Sequence, residues 1–357
     1  MRVLPLLFLG LFFLNDTHAV ENSGLPPVPV PADNPQSAAK VALGRQLFND
    51  RRFSGDGSIS CATCHSPEKT FTDGLPVARG IGGQTGTRNS PTVVNAAFYT
   101  SLFLDGRAPS LEKQALGPFV NAIEHGLKNH QQIVDIVIRD PGYQKQFKNV
   151  FGVTARQITV DHVVKAIASY ERTLIAGDSP FDRYYFGRDR SALSDRAARG
   201  LRIFRRKGNC ANCHEISWNN ALFTDNRFYN IGVGFQRVQP VLDEFLQALR
   251  DGRDPSQVKL SAWQRSELGR FNVTKVIADI GKFRTPTLRN IARTGPYMHD
   301  GSAKTLEEVV EYYDQGGEKN RFLDAAIFPL HLTDQEKRDL VAFLQSLTSP
   351  QYRASEK

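Results

Sequence analysis

Two copies of one short motif contain every cysteine of this 357-residue chain. The motifs are Cys61-Ala62-Thr63-Cys64-His65 and Cys210-Ala211-Asn212-Cys213-His214. Two disulfides, a redox Cys-x-x-Cys pair or a Cys₄ zinc site would use the cysteines. None of these explains why a histidine follows each pair. A c-type haem does, because two thioether bonds attach the porphyrin and the adjacent histidine then ligates the iron. The motifs predict two covalently attached c-type haems, with His65 and His214 as iron ligands.

The chain repeats more than its haem motifs. A Gly-x-x-x-Phe segment precedes each motif, at Gly44 and Gly200, and a Phe-Thr-Asp triplet follows each, at Phe71 and Phe223. From Pro91 onward the two halves align without gaps, each position matching the one 195 residues later. The matched pairs are Pro91 and Pro286, Asn95 and Asn290, Asp105 and Asp300, and Leu111 and Leu306. This self-similarity indicates a tandem duplication of one haem module.

Apolar periodicity around the motifs predicts a mainly α fold with long loops and little strand. Amphipathic helices are expected at 38–48 and 195–205, each leading into a haem motif. Further helices begin after the caps Ser110 and Thr305, and helices at 160–176 and 333–347 close the halves. The linker is placed at 177–191. We therefore predict two tandem cytochrome c-like domains, at 20–177 and 178–357.

The first 19 residues are typical of a secretory signal. A basic Arg2 precedes an apolar stretch from Val3 to Leu14, and Thr17-His18-Ala19 offers small residues for cleavage. Twelve apolar residues are too few to span a bilayer, so we expect a periplasmic protein without a membrane span. The net charge of +8 is spread along the chain without a long basic run, which argues against nucleic-acid binding.

The second axial ligand decides what each iron can do, because an open position admits a small molecule such as peroxide. The mature chain offers one methionine, Met298, and five histidines outside the motifs: His125, His130, His162, His299 and His331. The repeat register pairs Pro118 with Tyr313, and Gln114 with Val309. If both helices face their haems, the second iron can receive a phenol oxygen, whereas proline cannot ligate the first. We therefore expect an open, polar first haem and a closed second one.

Several motifs in combination resemble the bacterial di-haem cytochrome c peroxidases and the related MauG proteins. Besides the haem motifs they are Arg88-Asn-Ser-Pro-Thr92, Asp105-Gly-Arg107, Leu111-Glu-x-Gln-Ala115, Gly117-Pro118 and Pro296-Tyr-x-His-Asp-Gly301. The resemblance covers nearly the whole mature chain. It implies a peroxidatic haem in the N-terminal half and an electron-transfer haem in the C-terminal half.

The resemblance also implies roles for individual residues. Glu124 matches the distal acid/base, Gln114 the distal glutamine and Pro118 the distal proline. Tyr313 stands where the peroxidases have a methionine ligand and MauG-like members a tyrosine, so it is expected to ligate the second iron. Asn89, with the backbone oxygens of Thr294 and Pro296, matches an interdomain calcium site, and such oxygens suit calcium.

Two positions depart from the peroxidase pattern. Many family peroxidases carry a distal histidine where this chain has Ile81, so the first haem should be open without reductive activation, as in MauG. The family usually has a tryptophan between the haems where this chain has Leu104. Leucine cannot be oxidised, which puts strong electronic sharing between the haems in doubt.

Three functions follow. The first is a peroxidase that reduces hydrogen peroxide with electrons from a small redox protein, a cytochrome c or a cupredoxin. The second is MauG-like oxidation of Trp or Tyr side chains on a partner protein, favoured by Tyr313 and Ile81. The third is a non-catalytic electron carrier, against which Glu124, Gln114 and an open haem argue because a carrier needs no proton chemistry.

Overall fold

The computed structural model describes residues 24–352, and the regular structure of that part is mainly helical. Its α-helices are α1 (Ala38–Phe48), α2 (Cys61–Cys64), α3 (Leu111–Val120), α4 (Gln131–Arg139), α5 (Pro141–Phe151), α6 (Val160–Glu171), α7 (Pro180–Tyr185), α8 (Asp195–Arg205), α9 (Leu242–Arg250), α10 (Ala262–Glu267), α11 (Phe271–Thr274), α12 (Leu306–Asp314) and α13 (Asp334–Gln345). Two short antiparallel strands, β1 (Phe228–Tyr229) and β2 (Phe283–Arg284), pair Tyr229 with Phe283. The fold class is as expected, two tandem cytochrome c-like domains. None of the described helices is long and apolar enough to cross a bilayer.

Each half is organised around one close helix crossing. In the first half α1 packs on α6, and in the second half α8 packs on α13. The crossings fall at Gly44 and Gly200, where an added Cβ would lie 1.9 Å from the carbonyl oxygen of Ala166 and 2.0 Å from that of Asp339. Only a residue without a side chain lets the helices approach so closely. Helices α1 and α8 begin and end where the sequence predicted.

The helices that close the halves are shorter than expected. Helix α6 ends at Glu171 instead of residue 176, because backbone groups after the helix form hydrogen bonds to a residue outside it. The side chain of Asn95 accepts from the amide of Ala176 and donates to its carbonyl, at 2.9 Å each. Helix α13 begins after Thr333, whose capping box with Glu336 is confirmed. The caps of α3 and α12 are confirmed as well, since Ser110 and Thr305 accept from backbone amides of the first turn.

The stretch predicted as a linker, 177–191, contains helix α7. Pro180 at its first position and the capping box of Ser179 with Asp182 start the helix. Phe181 is buried in the second core, and Asp182 forms a fully buried ion pair with Arg289 at 2.8 Å. The prediction of a plain linker was therefore wrong for this part, since these side chains are anchored in the second half.

The second half contains an insertion between Asp225 and Arg284 whose structure was not predicted from the spacing of the motifs. Phe71-Thr-Asp73 is separated from Arg88 by a short loop, whereas Phe223-Thr-Asp225 is separated from Arg284 by helices α9, α10 and α11. This segment has its own apolar cluster, formed by Phe235, Val238, Leu242, Phe245, Leu246, Ala248, Val258, Leu268, Phe271 and Ile280. It is a third small core, separate from the cores of the two haem modules.

The two halves meet through equivalent backbone groups. The amide of Asn89 donates to the carbonyl of His299, and the amide of Arg284 donates to the carbonyl of Leu104, both at 2.8 Å. Asn89 and Arg284 each lie two residues before the repeated proline, and Leu104 and His299 are matched 195 residues apart. The duplicated plan is confirmed at this interface between the halves.

Candidate haem sites

The histidines of both motifs are oriented for ligation in the same way. Nδ1 of His65 lies 3.2 Å from the carbonyl oxygen of Phe71, and Nδ1 of His214 lies 2.9 Å from that of Phe223. A carbonyl can only accept, so Nδ1 carries the proton and Nε2 keeps its lone pair for a metal. Burial lowers the pKa of His65 to about 4 and also lowers that of His214. Both imidazoles are therefore neutral at neutral pH, as iron ligation requires.

The cysteines do not support the competing explanations. All four are free, so neither motif is closed by a disulfide. Burial raises the pKa of each thiol, whereas a redox-active Cys-x-x-Cys pair needs a lowered pKa. Within residues 24–352 no group of three or more His, Cys, Asp or Glu side chains could hold a metal ion, which excludes an assembled Cys₄ zinc site there. The residues present fit haem attachment.

A large, mainly apolar cavity, called the second cavity because it belongs to the second haem motif, lies beside that motif. Cys210, Cys213, His214 and Tyr313 line it together with Leu288, Ile291, Leu306, Val310, Leu330, Leu340 and Leu344. The apolar side chains suit a porphyrin face, and the sulfurs and the histidine stand where attachment and ligation would take place. The motif residues and Tyr313, far apart in the sequence, are thus brought to one cavity.

Of the candidate second ligands, Tyr313, Met298 and His299 line this cavity. His299 is already engaged, because its Nε2 lies 2.7 Å from Glu267 and its ring stacks on Phe283. Burial raises the pKa of Tyr313, and the neighbouring Cys210 and Cys213 add to the effect, which places the phenol against the motif. Met298 and Tyr313 both remain in reach of the second haem site.

The other histidines lie away from this cavity. His125 and His130 bond through a ring nitrogen to the carbonyls of Phe53 and Leu116. His162 belongs to the capping box of α6, and His331 is exposed. These contacts assign His125, His130 and His162 to local structure.

In the first half the predicted distal residues lie on α3 and the loop after it. Gln114 and Pro118 are one helical turn apart and share a face of α3. Glu124 follows in the loop, where Asn121 donates to its carboxylate at 2.7 Å. The charge of Glu124 acts on Cys61 and Cys64, so the acid faces the first motif. Among the described residues no hydrogen bond joins Gln114 to Glu124.

Burial raises the pKa of Glu124, and the guanidinium of Arg107 partly opposes the shift. Arg107 is itself held by an ion pair to Asp105 at 2.9 Å and by the ring of Phe103 beneath it. The carboxyl of Glu124 is therefore poised to exchange a proton nearer to neutral pH than an ordinary glutamate.

Ile81 has a second property besides its inability to ligate. Its amide donates to the carbonyls of both Ile123 and Glu124, at 3.0 Å each. Its side chain would meet a Cβ on Gly126 at 2.9 Å. The loop that carries Ile81 thus holds the Glu124 loop in place, a contact that the sequence did not reveal.

The three residues matched to a calcium site line the same cavity beside the second motif, to which Asn89 is contributed by the first half. Nδ2 of Asn89 donates to the carbonyl of Leu75 at 2.8 Å, so its Oδ1 is the atom left for a cation. Leu104 lines the same cavity and adds only an apolar side chain.

One pair near the second motif was missed by the sequence analysis. The phenol of Tyr229, on β1, donates to Oδ2 of Asp225 at 2.6 Å. Tyr229 lines the second cavity and also contacts the sulfur of Cys213. The spacing of four residues is unremarkable outside a helix, so no sequence signal pointed to this pair.

Two family models match the chain. One described as di-haem cytochrome c peroxidase covers residues 38–190, and one described as cytochrome c covers residues 197–348. A cytochrome-c peroxidase, IdrP1, of Denitromonas iodatirespirans is 42% identical over 91% of this chain and 85% of its own length. The methylamine utilization protein MauG of Methylorubrum extorquens is 39% identical over 90% and 81%.

Solved structures of proteins from the same family resemble this chain over most of its length. A MauG-like protein associated with microbial copper homeostasis has a TM-score of 0.74 and 32% identity over 94% of this chain and 98% of its own. The di-haem peroxidase BthA of Burkholderia thailandensis has a TM-score of 0.73 and 25% identity over 89% and 88%. The fold and the sites thus define a haem oxidoreductase with two cytochrome c-like domains. The chain belongs to the di-haem cytochrome c peroxidase family, which also contains MauG.

Proposed function

We propose that the protein reacts with hydrogen peroxide at the haem held by His65 and passes oxidising equivalents through the haem held by His214. The observation that carries this proposal is Glu124, a partly buried carboxyl with a raised pKa that faces the first motif. The iron, when bound, supplies the centre at which the O–O bond is cleaved.

The chain's own residues would manage the protons. Glu124 takes a proton from the inner peroxide oxygen and returns it to the leaving oxygen. Asn121 orients that carboxylate, and Gln114 orients the peroxide from α3. Pro118 and Ile81 keep the distal position open because neither side chain can ligate iron.

Stoichiometric peroxide added to the diferric protein tests the proposal. The visible spectrum should change at once without prior reduction. An unchanged spectrum would contradict it. Steady consumption of peroxide with a reduced cytochrome c or cupredoxin as donor is expected for a peroxidase.

Tyr313 is our proposed second ligand of the His214 iron, supported by its place in the second cavity and its match to Pro118. Tyr313→Phe should change the spectrum of one haem only. Met298→Leu is the matched control, since Met298 lines the same cavity and should leave both spectra unaltered. If Met298→Leu changes a haem spectrum and Tyr313→Phe does not, Met298 is the second ligand of that iron.

MauG-like oxidation of Trp or Tyr side chains on a partner protein is the second candidate. Tyr313 and Ile81 favour it. Incubating candidate partners with peroxide and the protein, followed by mass spectrometry, should then show oxidised aromatic residues. A cytochrome donor that is turned over while no protein is modified would favour the peroxidase.

The remaining proposals concern assembly. Thioether bonds from the pair Cys61 and Cys64 and from the pair Cys210 and Cys213 should each retain one haem, so the denatured protein should carry the mass of two haems. One calcium ion, bound by Asn89 and the carbonyls of Thr294 and Pro296, should be released by a chelator.

The signal at residues 1–19 lies outside the described residues; cleavage after Ala19 and recovery from the periplasm would test it. Domains at 20–177 and 178–357 are proposed boundaries.

A further inference from the structure

Tyr229 is an oxidisable side chain with a proton acceptor already in place. Its phenol donates to Oδ2 of Asp225 at 2.6 Å, while Oδ1 of the same carboxylate accepts from the amide of Arg227 at 2.9 Å. Both oxygens of Asp225 are therefore oriented, one by the backbone and one by the phenol. Burial and this hydrogen bond raise the pKa of Tyr229, so the phenol holds its proton at neutral pH.

The position of Tyr229 connects the second haem site to solvent. Its side chain lines the second cavity and contacts Cys213, the motif cysteine next to His214. Tyr229 and Asp225 are both partly exposed. The ring thus touches the predicted haem attachment on one side and the protein surface on the other.

At the position that matches Asp225, the described part of the first half has no such pair; its own tyrosine–aspartate hydrogen bond, from Tyr143 to Asp50, involves another aspartate. Asp73 is the counterpart of Asp225 in the repeated Phe-Thr-Asp triplet, and its Oδ1 likewise accepts from a backbone amide two residues on, that of Leu75. Its Oδ2 is buried and has no hydrogen-bond partner. The residue four positions later is Val77, which can neither donate a proton nor be oxidised. Within the repeated Phe-Thr-Asp segment, the pair therefore occurs only in the half that is expected to carry electrons.

Two other phenols near this cavity bond to the backbone instead of to a carboxylate. The hydroxyl of Tyr99 accepts from the amide of Thr287, and that of Tyr312 donates to the carbonyl of Ile231. A peptide carbonyl is a much weaker base than a carboxylate. A carboxylate at 2.6 Å can take the proton of an oxidised phenol without any movement of heavy atoms.

We propose that Tyr229 and Asp225 form a proton-coupled relay between the second haem and reductants at the surface, and that these reductants are phenols. The inference rests on the proposed function, which supplies the oxidant through hydrogen peroxide. Tyr229 gives one electron to the oxidised haem centre and its phenolic proton to Asp225, which leaves a neutral tyrosyl radical and a protonated carboxyl. A phenol at the surface then gives one electron to that radical, Asp225 returns its proton to the Tyr229 oxygen, and the substrate's proton leaves to solvent.

The relay balances over one peroxide. Two passages take two electrons from two phenol molecules, and the two protons released with them complete the reduction of hydrogen peroxide to two waters. The products are two phenoxyl radicals. A small phenol and a tyrosine on a partner protein are the same class of donor, and the test below separates them by size.

Freeze-quench electron paramagnetic resonance after one equivalent of peroxide tests the relay in the intact holoprotein. A tyrosyl signal is expected in the unmodified protein, and it should be lost in Tyr229→Phe and in Asp225→Asn. The matched control is Tyr99→Phe, which removes another cavity-facing phenol but no carboxylate pair, and its signal should persist. A signal that survives in Tyr229→Phe overturns the proposal.

Two further readouts separate this inference from the proposed function. Peroxide should still change the haem spectra of Tyr229→Phe, while oxidation of a small phenol is lost and oxidation of a reduced cytochrome c is kept. Retained phenol oxidation would overturn the relay and leave the peroxide chemistry standing. If peroxide does not react with the protein at all, a flash-generated ruthenium oxidant can oxidise Tyr229 instead. The Tyr229 radical should then form faster in the unmodified protein than in Asp225→Asn. Equal rates would show that Asp225 does not accept the proton. A phenol attached to a large carrier protein should react as well if the site serves protein substrates, and a lack of reaction restricts the substrate to small phenols.

Discussion

Helices α3 and α12 are the same element of a duplicated module, and they differ where the chemistry differs. Both begin after a hydroxyl cap, Ser110 or Thr305, and both follow the same gap-free register. One helix presents Pro118 where the other presents Tyr313. A duplication can thus keep a frame while single substitutions on one helix face distinguish the haem site that we propose to be open from the one that we propose to be closed by Tyr313.

The largest expected effect comes from removing the acid that only the first half uses. Glu124→Gln should slow the reaction with peroxide by about 10²–10⁴-fold, because an amide cannot carry the proton between the two oxygens. Stopped-flow absorbance measures the rate. Glu68→Gln, an exposed acid beside the first motif, is the control. A rate unchanged in Glu124→Gln would remove the proposed distinction between the halves.

A second contrast concerns how the halves are held together internally. At matched positions the first half buries Val94, whereas the second half buries Arg289 in an ion pair with Asp182. Asp182→Asn leaves a buried guanidinium without a counter-charge and should lower the free energy of unfolding by about 3–5 kcal/mol. Urea unfolding measures it. Glu336→Gln, which breaks a solvent-exposed pair with Lys207, should change it by less than about 1 kcal/mol. Equal effects would contradict this account.

The pH dependence sharpens the same contrast. The base form of Glu124 is lost as pH falls through a pKa raised above the ordinary glutamate value of 4.5, so the peroxide rate should fall on acidification. Arg107→Gln removes the opposing charge, so the fall in rate should set in at a higher pH. The increase should be no more than about one pH unit, because Arg107 is partly exposed. Arg107→Lys should restore the profile. A limb that moves downward would exclude Arg107 as the neighbouring charge.

The smallest effects should be equal in the two halves. Ser110→Ala and Thr305→Ala each remove a cap that accepts from a first-turn amide, and each should cost about 1 kcal/mol. Thermal unfolding of the two variants measures this. A clear difference between them would show that the frames are no longer equivalent.

Much of the frame could be predicted because it is local. The apolar periodicity and hydroxyl caps located both ends of α1, α8 and α13 within a residue or two, and the first residues of α3 and α12. Helix α6 was predicted too long because its end depends on Asn95, a residue distant in the sequence. Helix α7 was missed although Ser179, Pro180 and Asp182 are a local start signal; what depends on a distant residue is its anchoring by the ion pair of Asp182 with Arg289.

The candidate sites divide in the same way. Motif spacing and family resemblance pointed to the haem histidines, Glu124 and Tyr313. They could not show that Ile81 holds the Glu124 loop by its backbone, or that Tyr229 meets Asp225, because such contacts depend on how loops fold over one another. The insertion with α9 to α11 stayed uninterpreted because it has no counterpart in the first half.

The reciprocal hydrogen bonds between Asn89 and His299 and between Arg284 and Leu104 have a consequence for ancestry. Two copies of one surface that bond in both directions form an isologous contact, the arrangement of a two-fold symmetric homodimer. The chain therefore carries, within one polypeptide, the contact pattern of a dimer of single-haem subunits. A mutation in a homodimer alters both sites at once, whereas within one chain each copy can change alone, and here proline and tyrosine occupy the two versions of one position.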